Sequence, residues 1–219
     1  TYARLSREFR RMQNLDLFGV GEDVAAGWMV QLGGGADLRA LGAENDRPVF
    51  RLDAQWARFL GAGALVGAAL RQHAFVRAGG LENARVAAEV YGFWQPSRLR
   101  TLAWRLGAAG LLDEPEPLRF SLGGDDRLRG YRARELSGTR VLYWNVEQRL
   151  LTDWRLLFLR LGAVAFVDAA AAWDTGEGLD RHDARLGGGV GLRVGNNKAG
   201  STVLGIDLGF GSGTVQVAF

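Results

Sequence analysis

Apolar residues recur at every second position over long stretches of this chain, and this period of two narrows the range of possible folds more than any other feature. Between 156 and 173 the odd positions carry apolar side chains ending at Trp173, whereas the even positions include Arg160, Gly162 and Asp168. The same contrast recurs in four other stretches: 24–32, 52–60, 98–108 and 140–150. Alternation of this kind indicates β-strands whose two faces meet different surroundings. In 24–32 it predicts one apolar face made of Val24, Ala26, Trp28, Val30 and Leu32.

Turn residues divide the alternating stretches into eleven predicted strands of an all-β, antiparallel sheet. The predicted strands are 2–11, 23–33, 49–60, 63–77, 82–94, 98–112, 140–151, 155–173, 184–194, 202–210 and 214–219. Short turns at 95–97, 152–153 and 196–200 alternate with longer polar loops at 33–48, 113–139 and 174–183. The long loops therefore fall mainly at one end of the sheet.

Long strands with one-sided loops are typical of a transmembrane β-barrel, because only closure satisfies every backbone group in lipid. Several tryptophans lie toward strand ends, where an interfacial belt places them. A soluble sandwich or lipocalin-like barrel shares the alternation, but its apolar face forms the core. The membrane barrel is favoured here because the strands are long and the polar faces carry Arg105, Glu147 and Asp168 among many small residues. The two alternatives differ in the position of the apolar face, which points outward in the membrane barrel and inward in the soluble fold.

Composition limits the chemistry available to the chain. We interpret residues 1–219 as one domain, since large β-architectures of this length are common. There is no cysteine, there are only two histidines, and Lys198 is the single lysine, so arginine supplies nearly all the positive charge. Metal sites built from cysteine and histidine are nearly excluded. A net charge of +3 without a basic run gives no indication of nucleic-acid binding.

The longest loop, 113–139, carries the most specific polar motif. Leu122-Gly123-Gly124 is followed by Leu128-Arg129-Gly130-Tyr131, which places an arginine beside a glycine and an aromatic residue. Glu147 and Asp168 lie in the next two predicted strands, on the faces opposite the apolar side. The three charged residues are candidates for a buried ion-pair network. The alternative is that Arg129 is an ordinary solvated loop residue.

With the segments Asn145-Val146-Glu147-Gln148-Arg149 and Phe166-Val167-Asp168-Ala169-Ala170, this motif closely resembles the C-terminal barrel of the Omp85 (bacterial surface antigen) superfamily. The resemblance covers at least 120–219 and extends more loosely to the N-terminus. The ending Thr214-Val215-Gln216-Val217-Ala218-Phe219 looks like the β-signal by which outer-membrane barrels are recognised for assembly.

The resemblance implies a sixteen-stranded barrel in the bacterial outer membrane, whose long loop before the twelfth strand folds back into the lumen. That loop would be 113–139, and Arg129 at its tip would pair with the lumen-wall acids Glu147 and Asp168. Arginine suits this role because its planar fork can hold two carboxylates, and Gly130 would let the chain turn tightly against the wall. The implied partners are outer-membrane lipid and lipopolysaccharide, a substrate polypeptide strand, and accessory periplasmic or lipoprotein subunits.

The sequence also departs from the family. Counted from the C-terminus, its strands match the last eleven of sixteen, and the first five strands and the periplasmic POTRA repeats have no counterpart. Because an odd strand number is unusual for a single bacterial barrel, the chain is either a compact twelve-stranded barrel or part of a larger structure. Ala170 stands where the family commonly has glycine, which makes close backbone approach at that point doubtful.

Catalytic and cofactor signals are weak, and we predict a protein that is not an enzyme and has no cofactor. His73 and His182 lie far apart, and Ser212 stands between glycines in a predicted hairpin turn rather than in a nucleophile elbow. The acidic loop 174–183 lacks the ordered ligand spacing of a calcium site.

The sequence therefore predicts an outer-membrane barrel that inserts or translocates proteins or lipids. Arg129, Gly130, Tyr131, Glu147 and Asp168 would organise its wall, and a short last strand with Val215, Val217 and Phe219 would form a weak lateral seam. Two alternatives stay open: a passive pore, and a barrel that anchors or exports a separate passenger or enzyme domain.

Overall fold

The structure analysed is a computed structural model. It describes residues 2–13, 15, 21–77, 80–112, 118–124, 127–156, 159–196, 203–211 and 214–218. Within these strands the side chains of residues 7, 77, 81, 153, 155, 156, 196, 203 and 214–218 lie outside the description.

The fold is all-β, and its main element is one antiparallel sheet of eleven strands, as the alternation predicts. Those strands are β1 (Tyr2–Gln13), β2 (Gly21–Asp37), β3 (Arg47–Phe59), β4 (Ala64–Arg77), β5 (Gly80–Ser97), β6 (Arg100–Leu112), β9 (Arg140–Leu156), β10 (Leu159–Trp173), β11 (Ala184–Asn196), β12 (Val203–Gly211) and β13 (Thr214–Ala218). Each strand pairs with its neighbours in chain order, and β6 pairs directly with β9. Two short strands, β7 (Phe120–Leu122) and β8 (Leu136–Gly138), form a separate ladder in the loop between β6 and β9.

The sheet is open. Its edges are β1 and β13, and no pairing joins these two strands in the part of the chain that the structure describes. The prediction of antiparallel strands is therefore confirmed, whereas barrel closure and a sixteen-strand count are not.

The two faces of the sheet differ as the alternation predicts. The face that carries the loop 118–139 is here called the inner face. On β10 its residues Val164, Phe166 and Asp168 are buried, while Val167 between them is exposed on the outer face. Large apolar residues are exposed on the outer face of the other strands as well: Leu106, Leu142, Trp144, Leu150, Leu186, Val190, Leu192, Leu204, Ile206, Leu208 and Phe210.

Several predicted strand boundaries are wrong, and the turn predicted at 95–97 lies inside β5. β9 continues through the turn predicted at 152–153 and ends at Leu156, because the Thr152 hydroxyl donates to the Leu161 carbonyl oxygen across 2.9 Å and keeps the two strands joined. β2 likewise includes the glycines at 33–35 that were predicted to open a long loop.

The apolar stripe predicted over 24–32 does not stay on one face. Ala26 is buried in a cluster with Ala57 and Leu65, whereas Trp28 is exposed beside its cross-strand partner Trp56. The change occurs at Gly27, whose φ of 115° lies outside the range of an ordinary strand residue.

The loop 118–139 has a small hydrophobic core of its own, set against the inner face. Leu122, Leu128, Tyr131 and Leu136 from the loop pack with Val141, Ala170 and Ala172 from β9 and β10. Leu128 is completely buried. The main-chain N–H of Gly124 donates to the Tyr131 carbonyl oxygen across 2.9 Å, so the loop also closes on itself.

The helical content among the described residues is confined to two short 3₁₀ turns, Arg39–Leu41 and Arg181–Asp183. Neither they nor any other described segment forms a helix with the length and apolarity needed to cross a membrane.

Leu128→Ala should release the loop from the inner face. Truncating a fully buried leucine costs about 2–5 kcal/mol, and this side chain packs at the loop's own core. We expect trypsin to cleave faster after the exposed Arg132 and Arg134. Gel electrophoresis of samples taken during digestion of the folded protein measures the cleavage rate. Leu118→Ala, at a leucine that is 41% exposed in the same loop, is the matched control. Equal cleavage rates for the two variants would contradict the packing argument.

Candidate functional site

The tip of the loop brings Arg129 against two carboxylates on the inner face. Its Nε donates to Asp168 Oδ2 across 2.8 Å and its Nη2 to Asp168 Oδ1 across 3.1 Å. Its Nη1 donates to Glu147 Oε2 across 2.5 Å. The main-chain N–H of Arg129 also donates to Asp168 Oδ2, across 3.1 Å. One guanidinium thus links β9 and β10, and the backbone at the tip is held by the same carboxylate.

Asp168 has no solvent exposure, so its charge requires the partners that surround it. Asn145 Nδ2 donates to Asp168 Oδ1 across 2.9 Å and to the Arg127 carbonyl oxygen across 2.8 Å. The Arg129 guanidinium carbon lies 3.6 Å from the centre of the Phe166 ring, within cation–π range. Burial lowers the pKa of Arg129, but the hydrogen bonds and charges of Asp168 and Glu147 outweigh burial and hold that pKa above its ordinary value.

A third carboxylate, Asp207 on β12, joins the network and was missed by the sequence analysis. Its Oδ2 lies 3.6 Å from Arg129 Nη1, and it forms a two-pronged pair with Arg193 of β11. Glu147 is shared as well, since Arg149 Nε donates to its Oε1 across 2.7 Å. The sequence does carry a signal for Asp207, because it is the only charged residue in β12.

Gly130 lies directly on the main chain of β12. Its φ is 85°, and a Cβ built at this residue would be 2.8 Å from the Phe210 nitrogen. Conversely, a Cβ on Gly209 would be 2.5 Å from the Gly130 nitrogen, and one on Gly187 of β11 would be 2.5 Å from the Arg129 oxygen. The tip therefore rests on a floor from which side chains are missing, here called the glycine floor: Gly187, Gly209 and Gly211.

Tyr131 completes the docking of the tip. Its ring is buried and lies over Gly211, where an added Cβ would collide with the ring carbons. Its hydroxyl donates to the Leu186 carbonyl oxygen across 2.8 Å. The aromatic residue of the motif thus fixes the loop to β11 and β12, while the arginine fixes it to β9 and β10.

Ala170 stands where the family commonly has glycine, but close backbone approach of the loop tip does not depend on this position. Ala170 packs in the loop's hydrophobic core beside Leu128, and the close backbone approach occurs on β11 and β12 instead. Gly209 and Gly211 are two residues apart in β12, so they face the same side of the sheet, and Gly187 lies in the neighbouring strand β11. This spacing of two residues is the sequence signal for a glycine floor on one face.

A cavity of about 440 Å³ lies beside the tip on the inner face. Its lining includes five arginines, contributed by β6, β9, β11 and the loop, and three carboxylates. Among the residues that line it are Tyr91, Phe93, Arg105, Arg127, Arg129, Glu147, Arg149, Asp168, Arg193 and Asp207.

The remaining predicted residues are placed less completely. Val215 and Val217 belong to β13, where their backbones pair with Phe210 and Leu208 of β12. Their side chains and all of Phe219 lie outside the described residues. Among the described histidine, aspartate and glutamate residues, no three are grouped as a metal site would require.

Comparison with protein families, with curated proteins and with solved structures finds no match to this chain.

Removing the guanidinium should destabilise the docked loop strongly. Arg129→Ala leaves the fully buried Asp168 without its cation, and breaking a buried pair in this way typically costs about 3–5 kcal/mol. Arg129→Lys should lose less, because it keeps the charge but not the fork. Urea unfolding followed by tryptophan fluorescence measures the free energies. Arg119→Ala, which removes an exposed partner of Asp174, is the control and should change little. Similar losses at Arg119 and Arg129 would argue against a buried network.

A single methyl group on the glycine floor should also displace the tip. Gly209→Ala places a carbon 2.5 Å from the main-chain nitrogen of Gly130. Because both contacting groups are backbone, either the strand or the loop must shift to relieve this contact. We expect faster tryptic cleavage of the loop and a free-energy loss of about 1–3 kcal/mol, as for overpacking. Gly34→Ala has open space around the new methyl group and serves as control. An unchanged loop in Gly209→Ala would rule out the close approach.

Proposed function

We propose that this chain forms the wall of a bacterial outer-membrane β-barrel of the Omp85 type, which inserts or translocates polypeptides at that membrane. The observation that carries the proposal is the pairing of an exposed apolar outer face with an inner face on which an arginine-tipped loop is locked by buried carboxylates.

The outer face supports the membrane part of the proposal. Its positions within 102–112, 142–150, 161–173, 186–194 and 204–210 include no charged residue. On β6 the outer residues from Leu102 to Leu112 extend about 33 Å along the strand, or about 25 Å at a barrel tilt of about 40°. That height matches the apolar band of an outer-membrane barrel.

The inner face supports an orientation in which the outer face points toward lipid. Arg129, Glu147, Asp168 and Asp207 lie on the side that carries the loop, and they are more buried than the outer leucines and tryptophans. A soluble sandwich would instead bury its large apolar residues and expose its charges. Apolar residues exposed over several neighbouring strands need a covering, which lipid would provide.

The locked loop supports the family assignment. Arg129, Glu147 and Asp168 are the residues that the Omp85 resemblance pairs, and their atoms meet at hydrogen-bonding distances. In the proposed mechanism the loop organises the wall strands β9 to β12, so that they remain one unit while the seam moves.

The sheet edges support a seam. β13 has five residues, whereas β1 has twelve, so the two edges differ in the number of backbone groups they offer. An unpaired edge is a template for an added strand. We propose that the barrel closes between these edges and that a substrate strand enters there.

The membrane assignment predicts that a charge on the outer face blocks folding into lipid. Leu106→Arg places a cation in the middle of the apolar band, where arginine costs about 2–4 kcal/mol. We expect a lower folded fraction in phosphatidylcholine vesicles, measured by the gel shift between unheated and heated samples. Leu41→Arg, at a loop leucine that is 84% exposed, should fold as the parent chain does. Equal folding of both variants would favour a soluble sheet.

The insertion activity is tested with proteoliposomes that contain the full chain. We expect an added, unfolded outer-membrane barrel client to insert faster than into empty liposomes, and Asp168→Ala to abolish the acceleration. Leu41→Arg is again the control. Steady conductance in planar bilayers without any acceleration of client insertion would instead assign the chain as a passive pore. Absence of both activities would favour the anchor or export role.

A further inference from the structure

We propose that the cavity beside the loop tip binds an anionic group, a phosphate or carboxylate, carried on a small organic molecule with an apolar or aromatic part. This site depends on the geometry of the inner face and does not require the insertion activity proposed above.

The arginines are the more exposed charged groups among the described residues that line the cavity. The side chains of Arg105 and Arg127 are 42% and 32% exposed, whereas those of Glu147 and Asp207 are 15% and 13% exposed. Asp168 is not exposed at all. The guanidinium groups of Arg105 and Arg127 are therefore more accessible to an entering molecule than the carboxylates are.

The carboxylates are also held in place by their existing partners. Glu89 accepts from the Tyr143 hydroxyl across 2.7 Å, Asp168 accepts from Asn145, and Glu147 binds both Arg129 and Arg149. Among the described residues, the cavity is lined by five arginines and three carboxylates, and Glu89 lies beside Arg105.

Arg105 and Arg127 are the arginines best placed to bind an anion, because their side chains are the most exposed of the five, at 42% and 32%. Both approach Glu89, at 3.5 and 3.6 Å, distances longer than those of the contacts that lock Arg129. Each guanidinium presents several N–H donors in one plane, which matches the oxygens of a phosphate or carboxylate. Binding there would leave the loop lock intact.

The lining is aromatic beside Arg105, since Tyr91 is the cross-strand partner of Arg105. Tyr91 and Phe93 meet edge to face with their ring centres 6.4 Å apart, and both line the cavity with Ala103. An apolar group attached to the anion can pack on these rings while the anion binds the arginines. The volume of about 440 Å³ lies in the range of small-molecule sites.

The site is tested by calorimetric titration of the refolded full chain in zwitterionic micelles. Phenyl phosphate and benzoate are the anionic probes, phenol is the neutral probe, and inorganic phosphate lacks the aromatic group. We expect at least one aromatic anion to bind and phenol not to bind. Inorganic phosphate should bind more weakly than phenyl phosphate, and the comparison of phenyl phosphate with benzoate identifies the preferred anionic group.

Arg105→Gln and Arg127→Gln should each weaken binding of the aromatic anion by about tenfold or more, the effect of one lost charge-assisted hydrogen bond. Arg105→Lys should restore part of the affinity, because the positive charge returns. Arg71→Gln is the matched control, since Arg71 approaches the buried Asp53 at 4.0 Å and does not line the cavity. The gel shift of each variant verifies folding.

Any of three results would overturn the proposal. The first is equal binding by the parent chain and both glutamine variants, and the second is binding of phenol as tight as that of phenyl phosphate. The third is no binding of either aromatic anion. Client insertion is a separate readout. A chain that binds the anion without accelerating insertion refutes only the proposed function, and the converse result refutes only this site.

Discussion

The structure depends on the buried contact between Arg129 and Asp168. A carboxylate without solvent exposure on β10 is stable only when a cation and hydrogen-bond donors surround it, and the loop tip supplies the guanidinium and a main-chain N–H at once. Because Glu147 and Asp207 approach the same guanidinium, one loop residue joins β9, β10 and β12. The loop core around Leu128 and the glycine floor bring the tip to the position where this contact forms.

The sheet has an inverted distribution of polarity. Within 102–112, 142–150, 161–173, 186–194 and 204–210 its charged residues lie on the inner face, and large apolar residues such as Trp144 and Leu192 are exposed on the outer face. In water this arrangement is unfavourable, because a broad exposed apolar surface stays hydrated. In lipid it becomes favourable, and the inner ion pairs then lie in the only region where charges can be satisfied. Among the described strands, the unequal edges β1 and β13 leave backbone groups that another strand can pair.

Much of the fold was predictable because alternation is a local property. The number of sheet strands and the faces of β10 follow from the period of two, which the backbone geometry of a strand imposes. The errors arose where tertiary contacts override local signals. The turn residues at 152–153 are bridged by a hydrogen bond from Thr152 to β10, and Gly27 moves the apolar stripe of β2 from one face to the other.

By itself the sequence determined the strand pattern, the polarity of the two faces and the residue types at the loop tip, since each depends on neighbours along the chain. Only the tertiary structure decided that Arg129 meets Asp207 as well as Glu147 and Asp168, and that Gly130 rests on Gly209. These contacts join residues that are far apart in the chain, so no local pattern encodes their distances. They depend on the register of β9 to β12 and on the packing of the loop, which the pairing of the strands fixes collectively.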